Sequence, residues 1–199
     1  MIAETLLGLC VGIALAAACG MRVFLPLLAV SLGAHAGVVP LGESFAFLGT
    51  WAATLALATA AVVELTASSV PWVEHALDAV ATPAAIIAGT ILVTSQLDHL
   101  HPALAWGLGV VAGGGAAGTT QAAAVTTRGA STAATAGVLN PILNTVQSAL
   151  SAIVSALAVV VPIVAGAVVL AVAAVIARWW WVRRRKRAGT DPLADVAAA

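Results

Sequence analysis

Long apolar runs separated by short polar clusters dominate the chain, and most of them are continuous instead of forming an amphipathic stripe. Continuous runs of this length are typical of membrane-spanning helices. The last run contains Pro162 and is either one kinked helix or a hairpin near Val159–Pro162. The pattern predicts an all-α membrane protein, a small bundle of five to six transmembrane helices, with apolar runs at residues 5–34, 45–66, 83–97, 103–125 and 142–177.

Two polar interruptions, near residues 19–26 and 127–141, predict broken or re-entrant segments. The first places Gly20, Arg22 and Pro26 in the middle of an apolar run. A charge at bilayer depth costs roughly 2.5–3.5 kcal/mol, and a proline in a helix interior leaves a carbonyl without its hydrogen bond. The segment must therefore face protein or water, and we interpret it as the floor of a polar cavity.

The second half of the chain repeats the combination of arginine, glycine and proline. Arg128 stands beside Gly129 and shortly before Pro141. The helix that follows carries one polar stripe, which should face the bundle interior because lipid offers no hydrogen bonds; its members are Asn144, Gln147, Ser148, Ser151 and Ser155. Between the two halves, residues 71–80 predict a short amphipathic helix with Glu74 and Asp78 on one face.

Composition and charge narrow the class of protein and its orientation. The chain is 62% hydrophobic and 8% charged, whereas soluble domains are about 45–50% apolar and about 25% charged. Six of the eight basic residues fall between Arg178 and Arg187, directly around three tryptophans. This predicts a transmembrane domain over residues 1–182, a basic cytoplasmic tail over 183–199 and a bacterial inner-membrane location. The concentration of basic residues near the C-terminus determines the orientation of the chain in the membrane and does not indicate a nucleic-acid partner.

Glycines spaced four apart predict where helices pack closely, because a helix face without side chains lets backbones approach. The pairs are Gly8/Gly12, Gly109/Gly113 and Gly114/Gly118. Such faces could also join copies of the chain into a homo-oligomer. The N-terminus has neither the basic region nor the cleavage site of a signal peptide, so we expect the first helix to be retained.

Several of these motifs resemble a bacterial membrane family catalogued as domain of unknown function 4126. The resemblance covers roughly residues 6–161, and its most specific element is Gly-x-Arg-x-Phe-x-Pro at Gly20–Pro26. It implies a multi-span membrane protein and supplies no activity. The family pattern has Ala-Asp-Lys where this chain has Ala67-Ser68-Ser69, an aspartate at Glu74 and a Glu-Asp pair at Gln147-Ser148.

The candidate site combines the two interruptions. Arginine and the N–H groups of a broken helix both suit a carboxylate or phosphate. The predicted substrate-binding residues are Arg22, Arg128, Asn140, Asn144 and Thr127; the predicted coupling or counter-charge residues are Glu64, Asp78 and Glu74. The alternative is that each arginine only forms a structural ion pair with one of these acids.

The predicted function is a small transporter or flippase-like carrier of an anionic solute or lipid headgroup, with membrane lipids as its surroundings. The alternative is a structural or assembly membrane protein with buried ion pairs. The sequence holds no nucleophile–base set, and neither cysteine has an activating neighbour, so we do not expect an enzyme. We predict no metal and no cofactor.

Overall fold

The computed structural model describes the backbone of residues 2–68, 71–161 and 178 and the side chains of residues 4–68, 78–161 and 178. All regular structure in this part of the chain is helical, and the contacts below lie within one compact unit, Met1–Gly166. The elements are α1 (Ile2–Cys19), α2 (Phe24–His35), a 3-10 helix (Glu43–Gly49), α3 (Trp51–Ala67), α4 (Pro71–Ser95), α5 (Pro102–Leu108), a π-helical segment (Gly109–Gly114), α6 (Gly115–Thr135) and α7 (Asn140–Val160).

The helices alternate in direction along the bundle. Helices α1 and α2 form a hairpin whose turn lies beside one part of α7, where the Ala18 carbonyl accepts from Ser151 and Arg22 donates to Ser148. Gly33, near the end of α2, lies further along α7, against Val159. Helix α4 runs antiparallel to α1, with Gly8 against Gln96 and Gly12 against Val93. The tip of the α1–α2 hairpin, the ends of α3 and α6, and the starts of α4 and α7 therefore lie at one end of the bundle, the cavity end.

Glycines bring α4 into close contact with the helices on both of its sides. A Cβ on Gly12 would stand 2.8 Å from the Cα of Val93, and a Cβ on Gly113 would stand 2.2 Å from the carbonyl oxygen of Gly89. The predicted glycine pairs Gly8/Gly12 and Gly109/Gly113 thus pack within the chain, and both face α4. Close backbone approach of this kind supplies the dispersion contacts that hold apolar helices together.

The structure corrects the predicted division of residues 71–97. The sequence suggested a short amphipathic helix followed by a separate short span, but α4 is one helix of 25 residues with Pro83 inside it. A proline removes only one backbone hydrogen bond, and the glycine-mediated packing along α4 outweighs that loss. The side chain of Glu74 and the backbone of residues 69–70 lie outside the described residues.

The first break also differs in kind from the prediction. The backbone turns at residues 20–23, and α2 begins at Phe24, so Pro26 lies in the first turn of a new helix. Proline is tolerated there because the first turn has no intrahelical acceptor for its missing N–H. The predicted unpaired carbonyl therefore does not arise from Pro26.

The second break is narrower than predicted. Helix α6 continues through residues 127–135, and the chain turns only at Ala136–Leu139, where Ala136 and Gly137 have positive φ angles of 52° and 84°. The threonines that made this stretch look polar donate their hydroxyls to the carbonyl four residues back, as Thr126 and Thr132 do at 2.7 and 3.0 Å. Hydroxyls satisfied within a helix are compatible with apolar surroundings.

The polarity of α7 is inverted relative to a helix of a water-soluble protein. Its buried face carries the polar residues Asn144, Gln147, Ser151 and Ser155, and its outer face is apolar, with Ile142, Val146, Leu150 and Ile153 all exposed. The predicted polar stripe therefore does face the interior. Soluble amphipathic helices bury the opposite face, whereas a helix in lipid must satisfy its polar groups inside the bundle.

Two described helices are long and apolar enough to cross a membrane, α4 over Asp78–Ser95 and α7 over Asn140–Val160. The 3-10 helix and α3 form a third candidate if the pair, which is bent by 63°, counts as one span. The remaining apolar stretches Glu4–Cys19 and Phe24–His35 are shorter. The finer count of five to six spans stays a prediction, and the tryptophan–arginine segment at residues 179–187 lies outside the described residues.

We expect Gly113→Ala to destabilise the protein by about 1–3 kcal/mol, because the new methyl group meets the backbone of α4 in a packed interior. The matched control is Gly107→Ala in α5, whose Cβ would meet nothing within 4 Å. That variant should gain up to about 1 kcal/mol from the helix propensity of alanine. Thermal unfolding in detergent measures both, and equal effects of the two substitutions would contradict this packing.

Candidate functional site

A polar cavity lies at the cavity end of the bundle, and the α1–α2 turn and the helices α3, α4, α6 and α7 contribute to its lining. Its position follows from the two hairpin turns, which bring the chain segments around residues 22 and 140 to the same level. Seven of the ten lining residues are charged or polar; the lining residues are Met21, Arg22, Val23, Glu64, Ser68, Asp78, Ala81, Gln121, Arg128 and Asn144.

Glu64 holds the turn between α1 and α2 in place. Its carboxylate accepts hydrogen bonds from the backbone N–H groups of Val23 at 2.7 Å and Phe24 at 3.1 Å. These are the first N–H groups of α2, which have no partner inside their own helix. A carboxylate at this position also interacts favourably with the positive end of the helix dipole. Glu64 on α3 therefore acts as the N-terminal cap of α2.

Arg22 points from the hairpin turn toward α7. Its Nε donates to the Ser148 hydroxyl at 2.9 Å, and its Nη2 donates to the Asn144 carbonyl at 3.2 Å. The side chain is 6% exposed. The Ser148 hydroxyl in turn donates to the Asn144 carbonyl at 2.7 Å, so both groups belong to one network. The guanidinium is thus fixed against the first turns of α7.

Arg128 forms a two-point ion pair with Asp78. Its Nη2 lies 2.6 Å from Oδ1 and its Nε lies 3.4 Å from Oδ2. Its Nη1 also donates to Oε1 of Gln147 on α7. A bidentate arginine–carboxylate pair fixes both distance and orientation, so Arg128 links α6 to α4 and α7 at once.

The two arginines contact the pair of residues at which the resemblance implies acids. Gln147 accepts from Arg128, and Ser148 accepts from Arg22, where the family pattern has glutamate and aspartate. Both acceptors are neutral in this chain. Among the described lining side chains the positive charges of Arg22 and Arg128 are therefore balanced only by Glu64 and Asp78.

The cavity is small. The space that the centres of water molecules can occupy is about 30 Å³, and one water requires about 10–15 Å³ by this measure. Two water molecules, or one small ion, fill it. A lipid headgroup or a carboxylate of several carbons enters only if the surrounding helices move apart.

The structure brings together five of the eight predicted site residues, namely Arg22, Glu64, Asp78, Arg128 and Asn144. Thr127 is on the exposed side of α6 and donates its hydroxyl to the Ala123 carbonyl. Asn140 is buried but does not line the cavity, and its amide donates to Thr132 at 2.9 Å. The side chain of Glu74 lies outside the described residues.

Gln121 is the main lining residue that we did not predict. It is 2% exposed, and its Nε2 has no hydrogen-bond partner among the described residues. The sequence did hold a signal for it. The threonines of α6 satisfy their hydroxyls within the helix, as Thr120 does on Ala116 at 2.9 Å, but a glutamine amide is too long for that geometry. A glutamine among small apolar residues therefore needs a partner from elsewhere.

These features fit one class of protein, the helical membrane bundle with an apolar outer surface and a charged, hydrogen-bonded interior. Residues 9–183 match the family model described as Domain of unknown function (DUF4126), and the chain belongs to this family. No curated protein and no solved structure matches the chain at a significant level.

We expect Asp78→Asn to destabilise the protein by about 3 kcal/mol, because it leaves the buried Arg128 guanidinium without its counter-charge. The double variant Asp78→Asn with Arg128→Gln should recover part of that loss, since neither charge remains. Denaturant unfolding of both variants gives the coupling energy. Additive losses in the double variant would show that the pair contributes nothing.

Removal of the Glu64 carboxylate should loosen the turn at residues 20–23. We expect Glu64→Ala to cost about 1–2 kcal/mol, the usual range for loss of a helix N-cap, and to raise amide hydrogen exchange at Val23 and Phe24. Glu43→Ala, which removes an exposed acid from the 3-10 helix, is the matched control. Unchanged exchange at the two amides in Glu64→Ala would refute the capping role.

Proposed function

We propose that this protein is a small membrane carrier for an anionic solute, with Arg22 and Arg128 as its binding residues and Glu64 and Asp78 as coupling groups. It lies in a bacterial inner membrane, spans it five to six times and keeps its basic C-terminus in the cytoplasm. The last point rests on the positive-inside bias of residues 183–187 and the neighbouring tryptophans.

One observation carries the proposal: arginines from two different helical hairpins line a single cavity that has room for water. Buried arginines that serve only packing are expected in dry contacts with a carboxylate. Here Arg22 and Arg128 both line a space with room for water, although Arg128 is also paired with Asp78. Turns in helices placed beside a cavity are also a feature of transporter binding sites.

The size of the cavity favours a small solute over a lipid headgroup. A space of about 30 Å³ does not admit a headgroup with the helices in this arrangement. The hairpin turns at the cavity are held by side chains from other helices, so the site can open when those contacts break. Separation of α7 from Arg22 breaks hydrogen bonds to the Ser148 hydroxyl and the Asn144 carbonyl.

The charge balance supports a coupled movement of protons. With Glu64 and Asp78 ionised, the four charged lining side chains sum to zero, so a bound monovalent anion adds one uncompensated negative charge. Such a charge is costly in apolar surroundings. Protonation of one carboxylate restores neutrality. Glu64 on α3 faces Arg22 at the α1–α2 turn, Asp78 on α4 and Arg128 on α6, while α7 contributes the neutral Asn144.

The second candidate is a structural or assembly membrane protein. The bidentate pair of Arg128 with Asp78 favours it, because this pair links three helices and satisfies both partners without a ligand. The two candidates differ in what Arg22 does. A carrier requires Arg22 for flux, whereas a structural protein requires it only for stability.

The test is flux through the purified protein in liposomes of phosphatidylethanolamine and phosphatidylglycerol. Chloride, formate and phosphate serve as solutes, and a fluorescent phosphatidylglycerol reports headgroup movement. We expect protein-dependent entry of at least one small anion, faster at pH 5.5 than at pH 7.5 because each anion enters with a proton. Arg22→Gln should lower the rate at least about tenfold, the effect of losing one charged hydrogen bond.

Thr127→Val is the matched control, because Thr127 is a polar residue of α6 that lies one position before Arg128 on the exposed side. Its flux should equal that of the unmodified protein. Circular dichroism and size-exclusion profiles verify that each variant is folded. Flux that is absent for every solute, or unchanged in a folded Arg22→Gln protein, would refute the carrier and favour the structural candidate.

A further inference from the structure

Gln121 lies against the cavity with unused hydrogen-bonding capacity. Its side chain is 2% exposed, lines the cavity, and keeps Nε2 without a partner among the described residues. A buried donor left unsatisfied costs about 1–3 kcal/mol. It is placed there by close packing, because a Cβ on Gly20 would stand 2.8 Å from the Gln121 backbone nitrogen. This contact fixes the backbone of α6 at Gln121 beside α1.

The unused group is a donor, and the carboxylate acceptors around it are already engaged. The Glu64 carboxylate accepts from two backbone N–H groups, and the Asp78 carboxylate accepts from Arg128 through both oxygens. A ligand that satisfies Nε2 of Gln121 must accept a hydrogen bond from it. A cation cannot do so and would leave this donor unsatisfied.

The size of the space limits the acceptor. About 30 Å³ for water centres leaves room for two waters or for one small ion. A carboxylate of several carbons does not enter this space with the helices in this arrangement. The polar wall, with Arg22 and Arg128 both 6% exposed, suits a desolvated anion better than an uncharged solute of the same size.

We propose that the cavity between Arg22, Gln121 and Arg128 binds one monatomic anion of halide size, with the Gln121 amide as a direct ligand. The inference rests on the proposed carrier function and names the class of its substrate. Gln121 supplies selectivity for an anion, because it offers two N–H donors without adding charge. The anion therefore need not displace Asp78 from Arg128.

Equilibrium binding tests the proposal independently of flux. Purified protein is melted while sodium gluconate is replaced stepwise by sodium bromide at constant ionic strength. Gluconate is too large for the cavity, so a rise in Tm that occurs with bromide and not with gluconate reports binding at a small site. We expect a saturating increase in Tm on the order of 5 °C when bromide reaches about one hundred times its Kd.

Gln121→Leu removes the amide at similar volume and should weaken bromide binding at least about tenfold, the effect of one hydrogen bond to an ion. The matched control is Gln96→Leu, the same replacement directly after α4 at the opposite end of the bundle, where the Gln96 amide contacts Ser95. Its bromide response should equal that of the unmodified protein. The anomalous signal of bromide in crystals of the unmodified protein locates the ion even if Gln121→Leu does not fold.

Equal melting in bromide and gluconate, or a bromide site away from Gln121, would overturn the proposal. If Arg22-dependent flux of a larger anion persists without bromide binding, the carrier function stands and the halide assignment fails. If bromide binds beside Gln121 but no solute crosses the bilayer, the anion site stands and the carrier function fails.

Discussion

Every polar group inside this bundle must find its partner inside the bundle, because the outer surface is apolar. This constraint explains the arrangement around the cavity better than any single contact does. The charged and hydrogen-bonding groups lie at one level of the bundle, where they can form hydrogen bonds and ion pairs with one another. They are two guanidinium groups, two carboxylates and the exposed ends of two helices. Dispersed through an apolar interior, each would carry the cost of an uncompensated charge.

Helix α7 supplies most of the neutral partners. Its inward face bonds to the carbonyl of Ala18, to Arg22 and to Arg128, and the amide of Asn144 donates to the Ser68 carbonyl at 3.0 Å. One helix thus contacts the ends of α1, α3 and α6 through hydrogen bonds instead of apolar packing. Water that enters the cavity can replace bonds at the cavity wall, such as the one from the Asn144 amide to the Ser68 carbonyl.

The sequence predicted an all-helical fold and a meeting of charged side chains for a physical reason. Arginine and glutamate in apolar runs are so costly that they must converge, and Arg22, Glu64, Asp78 and Arg128 do converge. The polar stripe of α7 was predictable from its spacing alone. These inferences needed only periodicity and the cost of buried charge.

Other features depend on tertiary contacts that the sequence does not display. Helix α4 continues through Pro83 while it is packed against its neighbours, and residues 127–135 remain helical with hydroxyls bonded within the helix, as Thr132 shows. Thr127 was predicted to bind substrate because it adjoins Arg128, but neighbours in a helix point about 100° apart. Gln121 was missed although a glutamine among small apolar residues is a signal in the sequence; its place in the cavity wall is visible only in three dimensions.

The most direct test of this account is whether water reaches the two arginines in a lipid bilayer. Solid-state NMR can measure polarisation transfer from mobile water to arginine Nε nuclei, with Arg22→Lys and Arg128→Lys proteins assigning the two signals. The account predicts rapid transfer from water to both side chains, together with transfer from lipid chains to the outer face of α7 at Val146. Transfer from lipid to either guanidinium, or water reaching one arginine and not the other, would contradict a shared wet cavity.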